Sequence, residues 1–218
     1  VELPSQIMEN WCWEREALDL FAKHYQTGEP IPEELFAKMK RARTYRAGNA
    51  QMRQLSFSMA DLALHMRYDP AVDGDVIEWS KAILQEYSAA KLPEGHATIA
   101  SFTHLFASPV GYAAGYYSYK WAEVLSADAW SAFEEEGVLN PETGRRYRRE
   151  ILEAGGARPA IESFKAFRGR EPSLDALLLI VEALIDFIDA RMAGNRPRSA
   201  SRSTSARKLP MSAHGSPI

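Results

Sequence analysis

Apolar residues recur every three or four positions along most of this chain, with polar residues between them. That period is helical. From Ser5 to His24 the apolar positions are Ile7, Met8, Trp11, Leu18 and Phe21, with Tyr25 just beyond. Gly28, Pro30 and Pro32 mark a turn, and Pro32 suits the first position of a second helix through Met39. Gly48-Asn49 opens a third stretch, where Met52, Leu55, Met59, Leu62 and Met66 form one stripe until Tyr68-Asp69-Pro70 stops it. Asp75 to Tyr87 reads as a fourth helix, with Val76, Trp79, Ile83 and Tyr87 on one side. Thr98 to Ala107 fits no single period, and Ser108-Pro109-Val110-Gly111 is a loop. Tyr112 to Phe133 is a long, well-patterned helix. Asn140 before Pro141 is a good N-cap with proline in the first turn, and Gly155-Gly156 ends the helix that follows. Two more are expected, Pro159 to Phe167 and Ser173 to about Ala193. No segment alternates as a strand and nothing repeats, so the fold class is all-α.

Beyond Gly194 the pattern is lost. Arg196-Pro197-Arg198-Ser199-Ala200-Ser201-Arg202-Ser203 is low in complexity and cannot build a core. The division expected is a helical body over 1–193 and a disordered basic tail over 194–218. Charge sharpens that boundary. Six cations and no acid lie between Arg191 and the C-terminus, so the net −3 of the chain leaves −9 on the body. The 46% hydrophobic content over 218 residues suffices for a real core. The apolar run from Leu177 to Ile188 is broken by Glu182 and Asp186 and is too short for a membrane span. One cysteine, Cys12, excludes an intrachain disulfide. Among Trp11, Trp13 and Leu18 it is expected to be buried and inert, which fits a cytoplasmic protein. The chain starts at Val1 and runs directly into Glu2-Leu3-Pro4, which reads as a cut inside a longer protein.

The chemistry available is limited. The chain holds no H-E-x-x-H, C-x-x-C, glycine-rich phosphate loop or G-x-S-x-G. His24, His65, His96 and His214 are scattered. Tyr112, Tyr116 and Tyr119 sit at i, i+4 and i+7, a spacing that puts three phenols on one helix face. His104 precedes them across the proline-containing loop. A phenol titrates near pH 10, so it is a neutral donor at pH 7. A row of phenols with an imidazole can donate to a developing oxyanion. On spacing alone, a tyrosine-rich core seam is the simpler account. Glu2 alone reads as a carboxylate near a helix start.

Two segments alter that balance. Val1-Glu2-Leu3-Pro4-Ser5-Gln6-Ile7-Met8-Glu9-Asn10-Trp11 resembles the segment after the metal helix in the thimet oligopeptidase family of zinc metallopeptidases. His104 to Trp121, with Gly111-Tyr112-Ala113-Ala114-Gly115-Tyr116-Tyr117-Ser118-Tyr119, resembles that family's second active-site segment, in its oligopeptidase A branch. Phe133-Glu134-Glu135-Glu136-Gly137 and Phe167-Arg168-Gly169-Arg170-Glu171-Pro172 are also similar to that branch. The resemblance runs from Val1 to about Leu178. The loop Ala107 to Gly111 departs from it, being longer and carrying a proline, and so does the apolar helix and basic tail after Leu177.

The resemblance implies the C-terminal part of a zincin-type catalytic domain. It implies one Zn2+ ion with Glu2 as the third protein ligand. The two histidine ligands and the general base are expected on an H-E-x-x-H helix upstream of Val1. His104, Tyr112 and Tyr119 match residues that contact substrate and stabilise the tetrahedral intermediate, and Tyr116 is a further substrate-contact candidate. The partners implied are short peptide substrates and the missing N-terminal part of the same protein, with no membrane or nucleic acid. The alternative is a non-catalytic helical interaction module with a basic tail.

Overall fold

The computed structural model describes residues 2–177 of the chain. The described residues form nine α-helices and no strand: α1 (Leu3–Trp11), α2 (Arg15–Phe21), α3 (Glu33–Arg43), α4 (Ala47–Met66), α5 (Val76–Glu86), α6 (Thr103–Phe106), α7 (Ser118–Glu136), α8 (Pro141–Tyr147) and α9 (Ala160–Arg168). The helix expected from Ser173 lies, beyond Leu177, outside the described residues, as does the tail. No helix among the described residues is long and apolar enough to cross a membrane.

Two side-chain clusters hold this body together. The first packs Leu3 and Ile7 of α1 against Ala129, Trp130, Ala132 and Phe133 of α7, and is closed by Tyr147, Phe164 and Phe167. Trp11 joins it edge-on to both Trp130 and Phe133, with ring centroids 4.7 Å apart in each case, while its indole N–H donates to the Val138 carbonyl at 2.9 Å. A buried indole needs such an acceptor. The second cluster joins Phe57 and Ala60 of α4 to Leu84 of α5, Ile99, Leu105 and Tyr116.

The expected single helix over Ser5 to His24 is two. Cys12 and Trp13 close α1 with bonds to the Glu9 and Asn10 carbonyls, and the chain restarts at Arg15. That break leaves Cys12 exposed rather than buried. Pro32 stands one residue before α3, as its cap, with ψ at 141°. On α4 the expected stripe is turned outward. Met52, Leu55, Met59 and Met66 are exposed, and the buried face is Ser56, Phe57, Ala60, Asp61 and Ala63. On α5 the buried positions are Ser80 and Leu84. The cap at Asn140 forms as expected, its Oδ1 accepting from the Glu142 amide, and Asp75 caps α5 as well, its Oδ1 accepting from the Ile77 and Glu78 amides.

Asp128, on α7, is fully buried. Arg170 grips both its oxygens at 2.5 and 2.8 Å, the Ser173 amide donates at 2.7 Å, and Arg168 Nε lies 3.3 Å away. Burial pushes its pKa up, but the Arg170 bond, the Ser173 amide and the charges of Arg170 and Arg168 outweigh burial and hold it below the usual carboxylate range. This pins Arg168 to Ser173 onto α7. Asp128→Ala removes the carboxylate shared by Arg170, Arg168 and the Ser173 amide, and leaves Arg168, whose side chain is 7% exposed, with Glu135 and Ser131 alone. Removing one partner of a buried pair this way is expected to cost about 3 kcal/mol. A lower urea midpoint at unchanged slope is the check.

Candidate active site

The tyrosine segment is not one face of a helix. Tyr112 to Tyr117 run through consecutive turns, and α7 begins only at Ser118. The Gly115 amide bonds back to the Tyr112 carbonyl at 2.8 Å, and Ala114 has φ of 54°. These turns nonetheless gather the rings. Tyr112 and Tyr119 stack with centroids 5.4 Å apart and planes 7° off parallel. His104, exposed on α6, stands edge-on to both, at 5.5 Å from Tyr112 and 6.3 Å from Tyr119. The loop between them is open to solvent, with Val110 91% exposed.

Glu2 closes the group from the other end of the chain. It lies just before α1, where Ser5 Oγ donates to its Oε2 at 3.0 Å. The Tyr112 hydroxyl donates to its Oε1. Gln6, one turn on, donates through Nε2 to the Tyr119 carbonyl at 3.1 Å. The packing of α1 on α7 thus brings together the two segments that the sequence singled out. The hydrogen bond to Glu2, then that to Tyr119, drives the Tyr112 phenol pKa well above its ordinary value. At pH 7 it is a firmly neutral O–H donor beside a carboxylate.

Tyr116 has a different place. It is 8% exposed, its hydroxyl donates to Gln54 Oε1 at 3.3 Å, and its ring packs against Phe57 and Phe102. Burial is the main cause of its raised pKa. It therefore forms the floor of the tyrosine group. Tyr117 is half-exposed and outside the group.

One residue at this site went unnoticed in the sequence. Asp61 is fully buried on α4 and takes the Ala114 and Tyr116 amides. Its signal was available, because it is the sole acid of α4 and lies between apolar neighbours.

Among the described residues no group of three or more His, Cys, Asp or Glu could hold a metal ion. Glu2 supplies one oxygen donor, oriented by Ser5 and Tyr112 as the outer shell of a metal ligand is. A protein zinc site needs at least three donors, so these residues fit part of a site.

A sequence model of peptidase family M3 matches residues 1–182. The chain belongs to this family. It is 49% identical to oligopeptidase A of Haemophilus influenzae over 178 residues, 82% of this chain and 26% of that protein. It is 50% identical to a probable cytosolic oligopeptidase A of Arabidopsis thaliana over 183 residues, again 82% of this chain and 26% of that protein. Saccharolysin of Saccharomyces cerevisiae is 34% identical over 182 residues, with 82% and 25% covered. This M3 chain spans about a quarter of the length of these relatives.

Proposed function

We propose that this chain is the C-terminal part of the catalytic domain of a zinc-dependent oligopeptidase that hydrolyses short peptides in the cytoplasm. The observation that carries the reading is the Tyr112 hydroxyl bonded to the Glu2 carboxylate. It unites a carboxylate suited to a metal with a row of neutral donors suited to an oxyanion, across 110 residues of sequence. Membership of the M3 family and the likeness to oligopeptidase A support it.

In this reading Glu2 is one zinc ligand, and two histidines and a general-base glutamate come from a segment outside this sequence. When bound, the metal supplies an acidified water and polarises the scissile carbonyl. His104, Tyr112 and Tyr119 line the opposite side and donate to the oxyanion. Tyr116, buried beneath them, supports the substrate-contacting rings from below.

The test is to assay the chain alone and joined to the H-E-x-x-H-bearing part of a related oligopeptidase A. The chain alone is expected to cleave no peptide. The joined protein is expected to cleave short peptides and to lose that activity to a chelator. Robust zinc-dependent cleavage by the 218 residues alone would overturn the division of the site. A joined protein that binds zinc stoichiometrically and cleaves nothing would overturn the peptidase reading itself.

A further inference from the structure

The tyrosine segment has an unusual support. Between Gly111 and Ser118 the backbone is outside any helix, and Ala114 is held at φ 54° although it carries a Cβ. That region is disfavoured for such a residue and persists only where its surroundings impose it. Besides the Gly115–Tyr112 backbone bond, one side chain meets this turn. Asp61 Oδ1 accepts the Ala114 N–H at 2.9 Å, and Asp61 Oδ2 accepts the Tyr116 N–H at 2.8 Å. The two bonds straddle Gly115, so each carboxylate oxygen holds one side of the turn.

Asp61 is itself fixed. It is fully buried, one helical turn from His65, whose Nδ1 lies 3.0 Å from Asp61 Oδ1 and 2.8 Å from the Asp61 carbonyl. The His65 ring stacks on Phe106 of α6, the helix that carries His104. Two amides and an imidazole therefore account for the buried acid, as a buried carboxylate requires.

We propose that Asp61 is a positioning residue: a buried carboxylate that clamps the Ala114 and Tyr116 amides and so fixes the Tyr112 and Tyr119 rings against His104. That this matters for catalysis rests on the reading above, whereas the clamp itself can be tested without any hydrolysis. The clamp explains how Tyr112, which lies outside any helix, is presented in a stack with Tyr119 of α7. It also accounts for an acid in the apolar stretch Met59-Ala60-Asp61-Leu62-Ala63-Leu64.

The experiment is amide hydrogen exchange by NMR on the whole 218-residue chain, with the tyrosine ring signals followed in parallel. In the unaltered chain the Ala114 and Tyr116 amides should be protected to within about tenfold of the α4 interior, as bonds to a buried acceptor are. The Val110 amide, in the open loop, should exchange freely. Asp61→Asn keeps the shape but turns an N–H2 donor towards one amide. It should speed exchange at Ala114 and Tyr116 by about 10- to 100-fold, the scale of a charge-assisted bond. It should also shift the Tyr112 and Tyr119 ring signals and leave Ala129 and Phe133 in α7 protected. Should the variant not fold, the unaltered chain still decides: Ala114 and Tyr116 amides exchanging as fast as Val110 overturn the clamp. So does an Asp61→Asn chain in which both stay protected. Loss of protection equally at Ala129 and Phe133 shows a general structural role and overturns the positioning assignment.

Discussion

Tyr119→Phe, in this chain joined to its family's metal-binding part, is expected to lower peptide turnover by about 100-fold or more while bound zinc stays stoichiometric. The substitution is clean because of where the residue sits. Its ring lies flat against Tyr112, and its carbonyl, not its hydroxyl, holds Gln6 of α1. Phenylalanine keeps the ring, the stack and the carbonyl. What goes is one O–H, with the hydrogen bond it shares with Tyr112. A donor used only as charge develops on the oxyanion affects kcat and kcat/KM together and leaves KM nearly unchanged. Tyr116→Phe is the internal contrast. Its hydroxyl is committed to Gln54 in the core, so its loss should cost about 1 kcal/mol of stability and little turnover. Steady-state kinetics on both variants, with metal analysis, separate the two roles. Unchanged hydrolysis by Tyr119→Phe removes that residue from the mechanism.

The contrast between the two tyrosines shows where sequence periodicity works and where it misleads. The spacing of Tyr112, Tyr116 and Tyr119 correctly signalled that these rings meet, but a helix face was the wrong reason. They meet because a turn folds back at Gly115 under the grip of Asp61. A hydrogen bond from α4 to a segment more than 50 residues away leaves no trace in a local pattern. The α4 stripe failed for a related reason. Met52, Leu55 and Met59 repeat at helical spacing, but so do Phe57, Ala60 and Leu64 on the other side. A helix apolar on two faces does not reveal which one its neighbours cover. The smaller face went inward against α5. Cys12 was misjudged because the Trp11 side chain turns into the core just where the helix ends. Local chemistry was legible at Asn140, which caps α8 with the bond its side chain is built to make.

Glu2→Gln tests the other half of the site, and two separate readouts are expected to move. In the joined protein, zinc affinity should fall by more than about 100-fold, beyond the 10- to 100-fold that an outer-shell partner typically supplies, and peptide hydrolysis should go with it. Glutamine is nearly the same size, and its amide oxygen can still accept the Tyr112 hydroxyl, so the tyrosine group stays assembled. Ser5→Ala, which removes the 3.0 Å bond to Oε2 together with the 2.9 Å bond to the Glu2 carbonyl, should weaken zinc by about 10-fold. The ratio between the two variants separates a ligand from a group that orients one. The second readout needs no metal. The Glu2 hydrogen bond is the largest cause of the raised Tyr112 pKa, because ionising the phenol breaks a charge-assisted bond. Exchanging it for the weaker bond to a neutral amide oxygen should lower the phenol pKa, seen as earlier tyrosinate absorbance in the 218-residue chain. A lowered tyrosine titration with zinc binding intact would confirm the contact and sink the ligand. Both falling together is the outcome that makes the Glu2–Tyr112 pair the seam between the metal side and the oxyanion side of one site.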